Sequence, residues 1–218
     1  MIQSSGNLII NADTIDNHYS TIEAGGNADI HAGVLTNLGA TGNIITQSDK
    51  ETTITASHLL SGQDINVSGE SVTIDGMTDH HKSHSETHET GFGVGSGKGF
   101  VSIYGSEGKT ENEESFEHQG SSLNADGTIN ITAKKKDVTI VGSDLAGENI
   151  NLSATRDVNV LVGHNSHSSS SKEEREGFGF QFEKSNSGAS VGVGIASAKD
   201  TGDQWENTST QSHITARQ

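Results

Sequence analysis

The stretch Gly127-Thr128-Ile129-Asn130-Ile131-Thr132-Ala133, followed by Val138-Thr139-Ile140, returns as Gly147-Glu148-Asn149-Ile150-Asn151-Leu152-Ser153-Ala154, followed by Val158-Asn159-Val160. Inside each half, apolar and polar residues alternate. Period two with one apolar face is the signature of a half-buried strand. The same lead-in recurs upstream as Gly6-Asn7-Leu8, Gly26-Asn27-Ala28, Gly42-Asn43-Ile44 and Gly62-Gln63-Asp64-Ile65, and the whole series is spaced 20, 16, 20, 65 and 20 residues apart. The long interval is one 20-residue unit plus an insertion.

A unit with two apolar triplets, such as Ile65/Val67 and Val72/Ile74, buries too little to fold alone, whereas stacked units bury one continuous interior. Leu60, Leu123 and Leu145, each just before a unit, supply a third inward position. The pattern predicts an all-β, right-handed parallel β-helix, the hand following from the preference of crossover connections. Asn130 and Asn151 take equivalent outward positions and predict a stacked amide ladder.

Composition agrees. The 218 residues carry 13 Lys+Arg against 29 Asp+Glu, and a net charge of −16 excludes broad binding to nucleic acid or anionic lipid. With 27 Gly, no Pro and few helix formers, turns and strands dominate. The absence of Cys excludes disulfides and thiolate zinc sites, and suits a chain that crosses an oxidising periplasm unfolded. The first twenty residues lack a basic then apolar leader, and no run approaches the roughly 20 apolar residues of a membrane helix. The expectation is a piece of a larger exported chain.

Two excursions interrupt the repeat, and they match at an offset of 86: Val72 onto Val158, His81 onto His167, Gly91-Phe92-Gly93 onto Gly177-Phe178-Gly179. Each reads as a long β-hairpin with a glycine-rich tip. Pairing residues that sum to 195 sets Phe92 against Ile103, Val94 against Val101, His84 against Glu111 and His81 against Glu114. In the second arm a sum of 373 sets Phe178 against Ile195, Phe180 against Val193 and Phe182 against Val191, around a Ser-Asn-Ser-Gly turn. These ten apolar tip residues are the candidate contact surface for a partner or membrane. The opposed reading is a cover for the shaft.

His80, His84 and His88 share one face of a strand, with His81 and His118 nearby, and form the most ligand-like cluster. Their expected partners are glutamates, so a polar stem is favoured over a metal site, and imidazolium opposite carboxylate would strengthen pairing in acid. Gly25-Gly26-Asn27-Ala28-Asp29-Ile30 resembles one calcium-binding nonapeptide, but consecutive copies are needed and none follow, so it reads as a turn. Asp137 and Asp157, one unit apart beside Lys136 and Arg156, are the candidates for acid/base cleavage of a polysaccharide, the alternative function. Corner acids beside basic residues are more often solvated pairs, and no catalytic residue or cofactor is expected.

The segments Gly120-Ser121-Ser122-Leu123-Asn124-Ala125-Asp126-Gly127-Thr128-Ile129-Asn130-Ile131-Thr132-Ala133 and Gly142-Ser143-Asp144-Leu145-Ala146-Gly147-Glu148-Asn149-Ile150-Asn151-Leu152-Ser153-Ala154, each preceding or following a Ser/His/Gly-rich insertion, carry a family likeness. The chain resembles the haemagglutinin-repeat regions of large two-partner-secreted bacterial exoproteins, the filamentous haemagglutinins and contact-dependent growth inhibition effectors. The resemblance implies a non-enzymatic segment of a secreted, cell-surface filament, exported through an outer-membrane partner transporter. It further implies contact with a target cell's outer membrane or an outer-membrane protein, in toxin delivery or adhesion; self-association is a further expectation. The expected organisation is β-helix rungs at 1–76, an excursion at 77–119, rungs at 120–162, an excursion at 163–211, and the start of a further rung at 212–218. Ala28, where a larger apolar residue is usual, and residues 33–42, which fit no clean rung, depart from the pattern.

Overall fold

The computed structural model describes residues 2–12, 22–31, 34–35, 38–97, 99–185 and 188–217. Asn186 and Ser187 of the expected turn, and residues 33, 36 and 37 of the irregular stretch, lie outside them. The described strands form four sheets. Three are parallel, and in each the neighbouring strands come from successive sequence units. The first sheet runs from Ile2–Ser4 through His58–Ser61, Ser122–Ala125 and Asp144–Gly147 to His213–Ala216. The second stacks Leu8–Asn11, Ala28–His31, Ile44–Gln47, Ile65–Gly69, Thr128–Ala133 and Asn149–Ala154. The third stacks Val34–Leu35, Thr52–Thr55, Val72–Asp75, Val138–Val141 and Val158–Leu161.

The alternation read from the sequence sets the interior. Ile44, Ile65, Ile129 and Ile150 align across the second sheet, and Ile54, Ile74, Ile140 and Val160 across the third. All but the last of each row are fully buried; Ile150 is partly buried and Val160 exposed, because Asn149–Ala154 and Val158–Leu161 are edge strands with a neighbour on one side only. Ala28 is buried as well, beside Leu8 and Ile44.

One inward assignment fails. Leu60 is 63% exposed while Leu59 is 1%, and it is Leu59 that aligns with Leu123. The inward pair here is Leu59 and Ser61, matching Leu123 and Ala125. The Ser61 hydroxyl meets its needs inside the fold by donating to the Gly42 carbonyl at 2.7 Å, so a buried position carries a polar residue that an apolar scan passes over.

Two polar columns fix the corners. Asn7 Oδ1 accepts from the Asn27 amide at 2.9 Å, Asn27 from Asn43 at 3.0 Å, Asn43 from Asp64 at 3.0 Å, and Asp64 from Thr128 at 2.7 Å. A Cβ on Gly26, Gly42 or Gly127 would collide with the side-chain oxygen of the unit before it. The recurring Gly-Asn pair thus has a cause: each Asn caps the next unit's backbone, and each Gly leaves room for that cap.

The second column is serine. Ser57 Oγ donates to the Thr55 carbonyl and Ser143 Oγ to the Val141 carbonyl, two residues back. Ser121 Oγ donates to Asp75 at 2.6 Å and Ser212 Oγ to Leu161 at 2.7 Å, across 46 and 51 residues. It is the same bond closed across a longer stretch of chain. The hydroxyls also link vertically, Ser121 Oγ taking the Ser57 amide, Ser143 Oγ that of Ser121, and Ser212 Oγ that of Ser143.

Residues 1–79, 117–165 and 208–218 form one compact unit, and 80–116 with 166–207 a second. The second unit contains most of the fourth sheet, whose order is Met77–Gly91, Phe100–Gln119, Gly163–Ser185, Gly188–Thr210. The middle two strands are antiparallel, from Phe100 opposite Gln181 to Phe116 opposite Ser166, with an irregularity between Ser102 and Tyr104. Strands from both of the expected excursions therefore belong to one sheet.

Their internal match is also looser than the offset of 86 implied. Gly177-Phe178-Gly179 lies inside a 23-residue strand, whereas Phe92 and Gly93 lie beyond the end of a 15-residue one. Glycines at 93, 95, 97 and 99, all with positive φ, let that segment turn. Between Met77–Gly91 and Phe100–Gln119, His84 meets Asn112, Ser83 meets Glu113 and His80 stacks on Phe116, pairs that sum to 196, with the His80–Glu114 contact diagonal to them. The register is shifted by one from the expected 195, which a polar stem without an apolar face specifies weakly. In the second, Lys199 pairs with Glu174 at 3.4 Å and Ser171 Oγ donates to Gly202 O, both at the sum of 373.

Candidate functional site

Strand alternation puts Phe178, Phe180 and Phe182 on one side of the second unit's sheet, and the register places Tyr104 opposite Phe178 and Val101 opposite Phe180 on the same side. Val191, Val193 and Ile195 carry the row onto the last strand, and all are exposed, Ile195 by 85%. Phe92, 84% exposed, meets Tyr104 edge to face with ring centroids 5.6 Å apart. Ile103 falls at the irregularity and is also exposed.

The opposite side is covered around Phe100 and Ser102. Phe100 and Ser102 are buried, and Gly177 leaves room for both, since a Cβ there would press on the Ser102 hydroxyl and the Phe100 ring. The glycine-rich segment lies over them: the Ser102 amide donates to Ser96 Oγ at 2.9 Å, Ser96 Oγ to the Gly93 carbonyl at 2.7 Å, and the Phe182 amide to the Gly99 carbonyl at 2.8 Å. Val94 belongs to this turn and is half-buried rather than paired with Val101 on a strand. Tyr104 was not singled out, because the irregularity after Ser102 breaks the period that would have tied it to Val101. Exposed Trp205, farther along the last strand, was also passed over.

The histidines disperse. His80 Nε2 lies 2.8 Å from Glu114 Oε1, His84 Nδ1 2.7 Å from Asn112 Oδ1, and His88 Nε2 3.3 Å from Thr90 Oγ1, each with its own partner. His118 belongs to the first unit and is buried, its ring packed against the backbones of Gly76, Gly142 and Gly163 and its Nε2 3.3 Å from the Val141 carbonyl and 3.7 Å from Asp75. Among the described residues, no group of three His, Asp or Glu is placed to hold a metal ion.

The corner acids are tied as well. Arg156 grips Asp137 through both oxygens, at 3.1 and 2.6 Å, and the Asp157 amide donates to Asp137 Oδ1 at 3.1 Å. The Arg156 hydrogen bonds hold the Asp137 carboxyl below its ordinary range. Lys136, bonded to Glu51 at 3.0 Å and Glu70 at 3.3 Å, lowers Glu70 in the same way. An acid kept ionised is a poor proton donor. The outward ladder forms as expected and is one residue longer, Asn151 donating to Asn130 at 2.8 Å and Asn130 to Asn66 at 2.9 Å.

The described residues thus form stacked parallel sheets and one antiparallel-paired sheet with an apolar side exposed. Residues 101–218 match the hemagglutinin-repeat family, and the chain belongs to that family. No curated protein and no solved structure matches it.

Proposed function

We propose that the three parallel sheets are the walls of a right-handed β-helix, that 77–119 and 163–211 are hairpin excursions from rungs at 1–76 and 120–162, and that 212–218 begins a further rung. The chain is then a non-enzymatic segment of a secreted, cell-surface filament of the filamentous-haemagglutinin type, delivered by an outer-membrane partner transporter. Its work is contact with the outer membrane of a target cell, or a protein in it, during toxin delivery or adhesion.

The bare face of Phe178, Phe180, Phe182, Val191, Val193 and Ile195 carries this reading, because soluble monomers rarely leave so large a contiguous apolar patch in water. Parallel stacking at one-unit intervals and the lack of Cys support the filament and its export. The Arg156 clamp on Asp137 weighs against polysaccharide cleavage.

The test replaces Phe178, Phe180 and Phe182 together with Ser. Association of the exported parent protein with susceptible cells should fall at least tenfold, with secretion and the β-sheet circular dichroism signal unchanged. Wild-type association by that variant would remove the face from the function.

A further inference from the structure

The bare face has the size, outline and relief of half an interface. Its nine exposed residues, from Phe92 across Val101 and Tyr104 to Ile195, present on the order of 1,000 Å² of surface, most of it apolar side chain, near one partner's share of a stable dimer. No charged side chain interrupts the rows Phe178/Phe180/Phe182 and Val191/Val193/Ile195. Toward the stem the patch ends at exposed Glu176, beside Phe178 on the same side, with the Glu174–Lys199 ion pair beyond it, and Lys184 follows Phe182 at the other end. An apolar centre with a polar rim is the anatomy of a protein interface.

The relief is self-complementary. A row of three large aromatic side chains runs beside a row of three smaller aliphatic ones on the neighbouring strand. Under a twofold rotation the aromatic row of one sheet lies over the aliphatic row of its mate, and the reverse holds at the same time, as an isologous interface requires. The other side of the sheet carries residues 93–97 and Gly99 over Phe100 and Ser102, so the side of Phe178, Phe180 and Phe182 is the one left without a cover.

We infer that a second copy of this chain covers the face: two copies pack sheet on sheet through Phe178, Phe180, Phe182, Val191, Val193 and Ile195. The inference goes beyond the cell contact proposed above, and is tested on purified chain with no cells present. Each copy carries a charge of −16, so the copies repel at long range while the patch itself is uncharged, and association strengthens with added salt.

Sedimentation equilibrium of the full chain should show a concentration-dependent doubling of mass, tighter in high salt, and the Phe178→Ser/Phe180→Ser/Phe182→Ser variant should stay a monomer. Because the chain has no Cys, introduced thiols are unique. Phe180→Cys chains mixed with Val193→Cys chains should form a mixed disulfide dimer at least tenfold faster than either alone, a result that misfolding of the triple variant does not affect. A monomer at all concentrations up to about 0.1 mM would overturn the inference. So would assemblies larger than a dimer, which indicate pairing through the strand edge, or binding to phospholipid vesicles with no mass doubling in their absence. Loss of cell contact with dimerisation intact bears on the proposed function alone.

Discussion

The two units put the same alternating pattern to opposite use. In the first, short strands flanked on both sides, such as Thr128–Ala133, hide their apolar face, with Ile129 and Ile131 inaccessible. In the second, strands of 15 to 23 residues leave Phe178, Phe180, Phe182 and their aliphatic neighbours in water. Local pattern does not separate them, since Val191-Gly192-Val193-Gly194-Ile195 alternates as well as Ile129-Asn130-Ile131 does. Connection does. A chain that returns in parallel one unit later closes a face between three sheets, while a chain that doubles back antiparallel makes a single sheet with two sides and covers only one.

The sharpest way to break this contrast is a charge in the first unit's interior. Ile131→Asp puts an unpaired carboxylate among Ile65, Ile129, Ile140 and their neighbours, and should cost about 4 kcal/mol or more, read as loss of a cooperative thermal transition. Ile150→Asp, on an edge strand, should cost less than half of that. A melt of Ile131→Asp coincident with wild type would mean that the interior is not dry.

Next in size is the serine column. Ser121→Ala strips the Asp75 carbonyl and the Ser57 amide of their buried partner, and should cost about 2 kcal/mol in urea unfolding. The same change at Ser143 tests the corner without an excursion. Equal losses would show that the residues between Asp75 and Ser121 leave this corner bond intact. A much smaller loss at Ser121 would mean that the excursion's own contacts hold that corner.

Much of the first unit was legible in the residues because its rules are local and repeated: the inward Ile and Val, the Gly lead-ins and the Asn130–Asn151 step of the ladder all recur at one-unit spacing. What escaped was polar. Ser61 fills an inward position, Asn7, Asn27 and Asn43 cap backbones, and Ser121 and Ser212 bridge the excursions; none stands out in a scan for apolar period. In the second unit the aromatic rows were visible, but their union across Phe100–Gln119 and Gly163–Ser185 was not. That pairing joins residues 50 to 81 apart, and nothing in either strand's period names its mate.

The smallest effect separates the interior from the charged corners. Asp137 and Glu70 are both held below their ordinary values of 3.8 and 4.5, mainly by hydrogen bonds from Arg156 and Lys136. A carboxyl lowered in the folded state binds fewer protons than in the unfolded chain, so its contribution is full above its ordinary value and is lost as the pH falls through the lowered one. The window therefore lies below about pH 4.5. Both groups face solvent, and the change should be a modest drop in melting temperature between pH 7 and pH 3. Asp137→Asn should narrow that drop while leaving the interior's unfolding cooperative. Glu174 in the second unit, lowered mainly by its hydrogen bond from Lys172, gives the matching variant Glu174→Gln. If stability rests on the buried rows of the first unit, Asp137→Asn changes the acid slope and Glu174→Gln leaves the global melt untouched. If Glu174→Gln alters that slope as strongly, the two units unfold as one, and the contrast between them is one of exposure and not of stability.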